Sequence, residues 1–275
     1  MATTLTKKED GTILLTITLP VAAVKKAREQ VIQEHAKETT LAGFRKGMAP
    51  KDLVEKSLDQ AHVQEDTLRK LLPEAYAEAV KEQKLQPVMS PRIRVTKLDE
   101  GKDWEFTAET CEAPTIDLGN YQDAVKKVTA KSKIALPGKE EQKPNVDDVM
   151  KVLLETAKTT VPTILVETES ERLLSQLLDE VKSLGLSLDQ YLASTHKTIE
   201  QIKTDYMEKA KQDITAEFVL QAVANQEKIS VEQKELEEAL EKAQSPEERK
   251  NLEANIYLLA SILRQQKTID FLLKL

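Results

Sequence analysis

Residues 39–50 read TTLAGFRKGMAP. Two glycines, Gly43 and Gly47, bracket an aromatic ring and two cations, Phe44, Arg45 and Lys46, and Pro50 closes the run. Such a stretch is not regular helix throughout, because glycine weakens a helix and a proline biases the residue before it towards extended backbone. Apolar residues recur at helical spacing on both sides of it. Upstream, Val24, Ala27, Val31, Ile32 and His35 fall near one face; downstream, Pro50 suits the first position of a short helix over 51–58. The segment is therefore a loop between helices, and its chemistry admits two readings. In one, the glycines allow a tight exposed backbone, Phe44 is an apolar anchor, and Arg45 and Lys46 make charge-assisted contacts to phosphates or carboxylates. In the other, the loop is a plain helix connection whose Phe44 folds back on the core.

Working outward, residues 5–19 read as a hairpin. Asp10-Gly11 is a turn pair, and Ile13, Leu15, Ile17 and Leu19 alternate onto one face of a strand that Pro20 ends. A further helix runs from about Val63 to Lys84, and Pro73 is expected to kink or restart it. A second hairpin closes the unit: Ile93 and Val95 alternate on one side of a turn at 99–102, and Trp104, Phe106 and Ala108 on the other. Strands, then helices, then strands imply a small α+β domain over residues 1–112. Residues 113–144 change character. With Pro114, Pro137, Gly138, Pro144 and a polar tract at 139–143, they are expected to be a linker with one strand at 124–128. Residues 145–275 read as almost entirely helical. Val161-Pro162 interrupts the first helix and Gly185 stops the second. One or two long helices then run from Ser187 to about Lys228, with a short joint at 229–231. Another helix covers 232–243, and Ser245-Pro246-Glu247-Glu248 opens a terminal helix ending near Leu273.

Composition narrows the functional classes. The 275 residues are 40% hydrophobic, 32% charged and only 4% aromatic, with 7 glycines, which suits long helices better than barrels or Gly-rich nucleotide folds. A formal net charge of -7 leaves no whole-protein cationic footprint, so DNA is not an expected partner. A single cysteine, Cys111, excludes an internal disulfide, and its simplest role is a small apolar residue at a strand end. His35, His62 and His196 have no metal-site spacing, and no P-loop is present, so neither metal nor cofactor is expected. The N-terminus has no apolar signal region, and no apolar run reaches the ~18 residues of a membrane span, so the expected location is cytoplasmic with no membrane partner. The carboxylates of 232–241 read as a solvated helix face.

The run Gly43-Phe44-Arg45-Lys46-Gly47-Met48-Ala49-Pro50 closely resembles the ribosome-docking signature of the bacterial trigger factor family, GFR-x-G-x-x-P, and lies in the same helix–loop–helix position. Leu71-Leu72-Pro73-Glu74-Ala75-Tyr76 and Pro87…Pro91-Arg92-Ile93 resemble the rest of that N-terminal domain. Val161-Pro162-Thr163-Ile164-Leu165-Val166-Glu167, Ile229-Ser230-Val231-Glu232 and the stretch from Leu263-Arg264 to Phe271-Leu272 resemble, in order, segments of the family's helical C-terminal domain.

The resemblance implies an α+β N-terminal ribosome-binding domain followed by an extended, mostly α-helical C-terminal chaperone domain. It assigns Gly43, Phe44, Arg45, Lys46 and Gly47 to the ribosome contact, and it implies two partners: ribosomal protein and rRNA near the tunnel exit, and unfolded nascent polypeptides. The implied activity is that of an ATP-independent chaperone, and the competing reading is a helical adaptor whose basic loop docks on an acidic partner. Full-length family members carry an FKBP-like prolyl-isomerase domain between the two parts. Here the interval 115–160 is too short for one, and 122–190 contains no Phe, Trp or Tyr to wall a prolyl pocket, so no enzymatic activity is expected.

Overall fold

The computed structural model of the chain describes residues 2–38, 44, 50–99, 101–132, 145–242 and 245–275. The chain divides into two compact units, Met1–Ala113 and Pro114–Leu275.

The first unit is built on an antiparallel sheet. Strand β1 (Ala2–Lys7) pairs with β2 (Thr12–Leu19) across a turn in which Gly11 takes a φ of 87°, a conformation glycine adopts without strain. After the helices α1 (Val21–Glu38), α2 (Lys51–Ser57) and α3 (Gln60–Glu82), strands β3 (Arg92–Lys97) and β4 (Trp104–Cys111) complete the order β1-β2-β4-β3. The register places Leu15 opposite Ala108, Ile17 opposite Phe106 and Leu19 opposite Trp104. Period-two alternation thus puts all six side chains on one face, where α1 and α3 cover them with Val24, Ala27, Leu71, Ala75 and Ala79. Helix α3 runs through Pro73 unbroken, so it does not restart there. The buried residues of α3 recur every fourth position, at Val63, Thr67, Leu71, Ala75 and Ala79, and Pro73 lies on the opposite, exposed side. There the carbonyl that loses its helical partner can be hydrated, so continuing the helix costs less than it would against the core.

The second unit begins inside the stretch expected to be linker. Strand β5 (Ile116–Asp117) pairs with β6 (Lys158–Thr159), and residues 124–128, expected as a strand, lie within the helix α4 (Tyr121–Ser132). The reason is a four-residue period: Tyr121, Val125 and Thr129 form one buried stripe, against which α5 (Val146–Thr156) lays Val149 and Leu153. The remaining expected linker, 133–144, is outside the described residues. Helices α6 (Thr163–Ser183), α7 (Leu188–Thr195), α8 (Ile199–Gln226), α9 (Gln233–Glu241), α10 (Pro246–Ala254) and α11 (Ile256–Lys274) follow. Helix α6 ends in a Gly185 turn with φ 71°, and Leu186 N–H returns to the Val181 carbonyl at 3.1 Å. The expected single terminal helix is two, α10 and α11, because the backbone leaves helical geometry at Asn255 (φ -116°, ψ 39°).

Helices α6 and α8 pack antiparallel: Val166 meets Ala210 and Ile214, whereas Leu177 and Val181 meet Ile202. The C-terminal half of α8 instead joins Tyr121, Val125, Val149, Leu153 and Leu272 through Val219, Leu220 and Val223.

Two buried hydroxyls, those of Tyr76 and Thr159, have no hydrogen-bond partner among the described residues. An unsatisfied buried hydroxyl costs on the order of 1 kcal/mol or more. Tyr76→Phe is therefore expected to raise the unfolding free energy by about 1 kcal/mol in urea titrations; a loss of similar size would show that the hydroxyl is satisfied.

Candidate functional site

The stretch singled out by the sequence lies between the end of α1 at Glu38 and Pro50, which caps α2 with φ -57°. Its base is fixed by packing. Val31 and Ile32 of α1 bury against Val63 of α3, with Leu58 between α2 and α3 alongside them. Polar contacts repeat the same link at the surface: His35 Nε2 lies 2.7 Å from Asp66 Oδ2, Lys70 Nζ donates to Glu34 Oε1 at 2.6 Å, and Arg28 donates to Gln60 Oε1 at 2.6 Å. Exposed pairs of this kind contribute at most about 1 kcal/mol each, so the apolar contacts do most of the positioning. Of the five residues expected at the site, only Phe44 is described, and it is 40% exposed. The structure thus does not fold its ring into the core. Gly43, Arg45, Lys46 and Gly47 lie outside the described residues.

In the second unit the notable surface is apolar. Helix α11 buries Leu259, Thr268 and Leu272 but leaves Tyr257 90%, Leu258 61% and Ile262 52% exposed. Leu258 and Ile262 are one turn apart, so they share a face. Leu184, Leu186 and Leu188 form a second exposed group around the Gly185 turn. The sequence held a signal for the first of these. Ile256-Tyr257-Leu258-Leu259 is four consecutive apolar residues, which wrap more than a full helical turn, and a single packed face cannot hide them all.

A polar clamp fixes the orientation of α11. Arg264 donates through Nε to the Ile229 carbonyl (2.8 Å) and through its second arm to Asn225 Oδ1 (2.7 Å). Lys267 Nζ donates to the Ser230 carbonyl (2.7 Å) and to the Glu235 carboxylate (2.8 Å). The Lys267 contact, helped by the Glu232 backbone N–H, holds the Glu235 carboxyl below its ordinary pKa. The sequence reading missed this clamp, because its members are 35 or more residues apart from the α8–α9 joint they tie down, except for Glu235 itself.

No cluster of His, Cys, Asp and Glu among the described residues could hold a metal ion, and none of their helices is long and apolar enough to cross a membrane. Cys111 is buried, and desolvation, with a smaller contribution from Asp10, pushes its thiol up to about 11. The buried Tyr121 hydroxyl donates to Glu227 Oε1 at 2.6 Å; burial and that carboxylate push it up to about 12. Both groups hold structure together.

The first unit thus carries an exposed Phe44, and the helical second unit carries exposed aliphatic side chains. Comparison with known proteins supplies the assignment. The family described as "Bacterial trigger factor protein (TF)" matches residues 1–136, and its C-terminal counterpart, "Bacterial trigger factor protein (TF) C-terminus", matches residues 126–274. The chain belongs to the bacterial trigger factor family. Trigger factors of Staphylococcus epidermidis and Staphylococcus aureus are each 37% identical to it over 122 residues, 44% of this chain and 28% of theirs. The chain thus spans less than a third of the length of these curated relatives. A solved structure described as "Promiscuous Substrate Recognition in Folding and Assembly Activities of the Trigger Factor Chaperone" superposes with a TM-score of 0.68 over 100% of this chain and 99% of that one. At 13% identity that likeness is one of fold.

The chemistry of Cys111 is directly testable. A thiol whose pKa rises from 9.0 to about 11 carries about a hundredfold less thiolate near pH 8, and burial slows access further. Alkylation by iodoacetamide at pH 8 is therefore expected to be at least about a hundredfold slower in the native protein than in urea. Comparable native and denatured rates would contradict the buried placement.

Proposed function

We propose that this chain is a ribosome-associated, ATP-independent molecular chaperone of the cytoplasm that binds nascent polypeptides at the tunnel exit and assists their folding. Membership of the trigger factor family supports this reading, and so does the fold it shares with a protein whose description speaks of promiscuous substrate recognition. The observation that carries it is the exposure of large apolar side chains in both units: Phe44 in the loop, and Tyr257, Leu258 and Ile262 on α11. An exposed aliphatic patch ringed by charge suits weak, reversible contacts with unfolded chain. Tethering then supplies what each contact lacks, since a client emerging beside the binding surface meets it at high effective concentration.

Gly43, Phe44, Arg45, Lys46 and Gly47 make the ribosome contact in this reading. The glycines shape the loop and Phe44 is the anchor. Arg45 and Lys46 pair with rRNA phosphate or with an acidic side chain of a ribosomal protein. The chain works without prolyl-isomerase activity. The two family matches, 1–136 and 126–274, adjoin, which supports that reading. In 122–190 there is no aromatic residue with which to wall a prolyl pocket.

Co-sedimentation with ribosomes tests the docking. Replacing Phe44, Arg45 and Lys46 together by alanine is expected to lower ribosome affinity about tenfold or more, because aromatic and Arg anchors commonly cost upward of about 2 kcal/mol when truncated. Wild-type binding should also weaken as salt rises. A folded triple variant that co-sediments like the wild type would overturn the assignment.

A further inference from the structure

We propose that the groove between α1, the α2–α3 junction and the β3–β4 turn is a binding site for an acidic peptide segment that carries a bulky apolar side chain. The groove encloses about 910 Å³ and lies wholly within the first unit. That volume is in the range of a built ligand site rather than a surface dimple. Its floor is apolar, formed by Val24, Leu98 and Trp104. Three cations border it, Lys25, Arg28 and Lys56, against one lining carboxylate, Glu55. In a chain whose net charge is -7, that local excess of positive charge runs against the average.

The cations are not equivalent. Arg28 is engaged within the fold, 3.2 Å from Glu55 Oε1 and 2.6 Å from Gln60 Oε1. It is thereby held in place at the groove's edge, with its charge paired by Glu55. Lys25 and Lys56 are exposed and form no ion pair with any described residue, so their charges remain available to a ligand. A ligand that satisfies both layers needs an apolar side chain for the floor and carboxylates within reach of the two lysines. A short acidic segment of a partner protein has that chemistry. A basic segment would place like charges opposite Lys25 and Lys56. Single-stranded nucleic acid fits less well, because Trp104 is only 6% exposed and offers no open ring face for a base to stack on. Its indole N–H is also already committed to the Asp99 carbonyl at 3.3 Å.

Trp104 is the only tryptophan in the chain, so the groove carries its own fluorescent reporter. The experiment uses the full chain without ribosomes, which makes its outcome independent of the docking proposal. The probe is a short peptide with a central Leu-Phe pair flanked on both sides by aspartates. Its controls are the same peptide with lysine flanks, the aspartate peptide with Ser-Ser in place of Leu-Phe, and a single-stranded RNA oligonucleotide. The acidic apolar peptide is expected to give a saturable change in Trp104 emission, weakening with salt, at an affinity about tenfold or more above that of each control. Lys25→Glu with Lys56→Glu should lower that affinity about tenfold or more, and Lys25→Gln with Lys56→Gln by less, both with unchanged circular dichroism. The proposal is overturned if the acidic peptide gives no saturable change, if the lysine-flanked peptide or the RNA binds equally well, or if the folded charge-reversal variant binds as the wild type does.

Discussion

Helix α8 passes through three apolar clusters among the described residues of the second unit, and the way its buried seam is shared out shapes which surfaces stay uncovered. At 28 residues it is about 42 Å long, longer than a small domain is wide. Ile202 serves the cluster near its start, Ala210 and Ile214 the middle one, and Val219, Leu220 and Val223 the body formed with α4, α5 and α11. Each cluster is small, because each helix meets α8 over only part of its length. A single compact core would have drawn more of the aliphatic side chains inside. Stringing several clusters along one helix instead leaves Leu184 and Leu186 beyond α6, and Tyr257, Leu258 and Ile262 on α11, with nothing packed over them in their unit. The same arrangement that buries the seam of α8 therefore also leaves these side chains exposed.

The first unit solves the opposite problem. One face of a four-stranded sheet is closed by two helices, with Ile13, Leu15, Ile17, Leu19 and Phe106 all but fully buried. That closure gives α1 and α3 fixed places, and they meet through Val31, Ile32 and Val63, with Leu58 alongside, near the stretch that carries Phe44. A loop on such a base can present an exposed aromatic ring without disturbing the fold that carries it. In the proposed function these are complementary demands, firm docking by the first unit and shallow apolar faces on the second.

Much of this was legible in the sequence. Asp10-Gly11 between alternating residues marked the first hairpin, Gly185 marked a helix end, and Ser245 marked a helix start, where its hydroxyl accepts the Glu248 N–H at 3.1 Å. These signals work because turn and cap chemistry is local. The readings that changed depended on tertiary surroundings. Helix α4 was hidden in a proline-flanked polar stretch, and its stripe of Tyr121, Val125 and Thr129 has meaning only beside α5 and α8. Pro73 looked disruptive until its exposed side of α3 was known. At the candidate site the run 43–50 stood out from residue types alone, and the run Ile256–Leu259 signalled that part of α11 would stay exposed, whereas which of its residues do so and the clamp of Arg264 and Lys267 on the α8–α9 joint required the folded chain. The basic groove over Trp104 was invisible for the same reason, since its lining comes from α1, α2, α3, the β3–β4 turn and β4.

The central claim is that uncovered aliphatic surface on α11 holds unfolded polypeptide. Aggregation of a chemically denatured, unrelated protein, followed by light scattering with the full chain at modest molar excess and no nucleotide, tests it most directly. The account predicts that the wild-type chain suppresses scattering and that a folded Tyr257→Ser, Leu258→Ser, Ile262→Ser variant loses most of that effect. Equal suppression by the variant, or none by the folded wild-type chain, would contradict it.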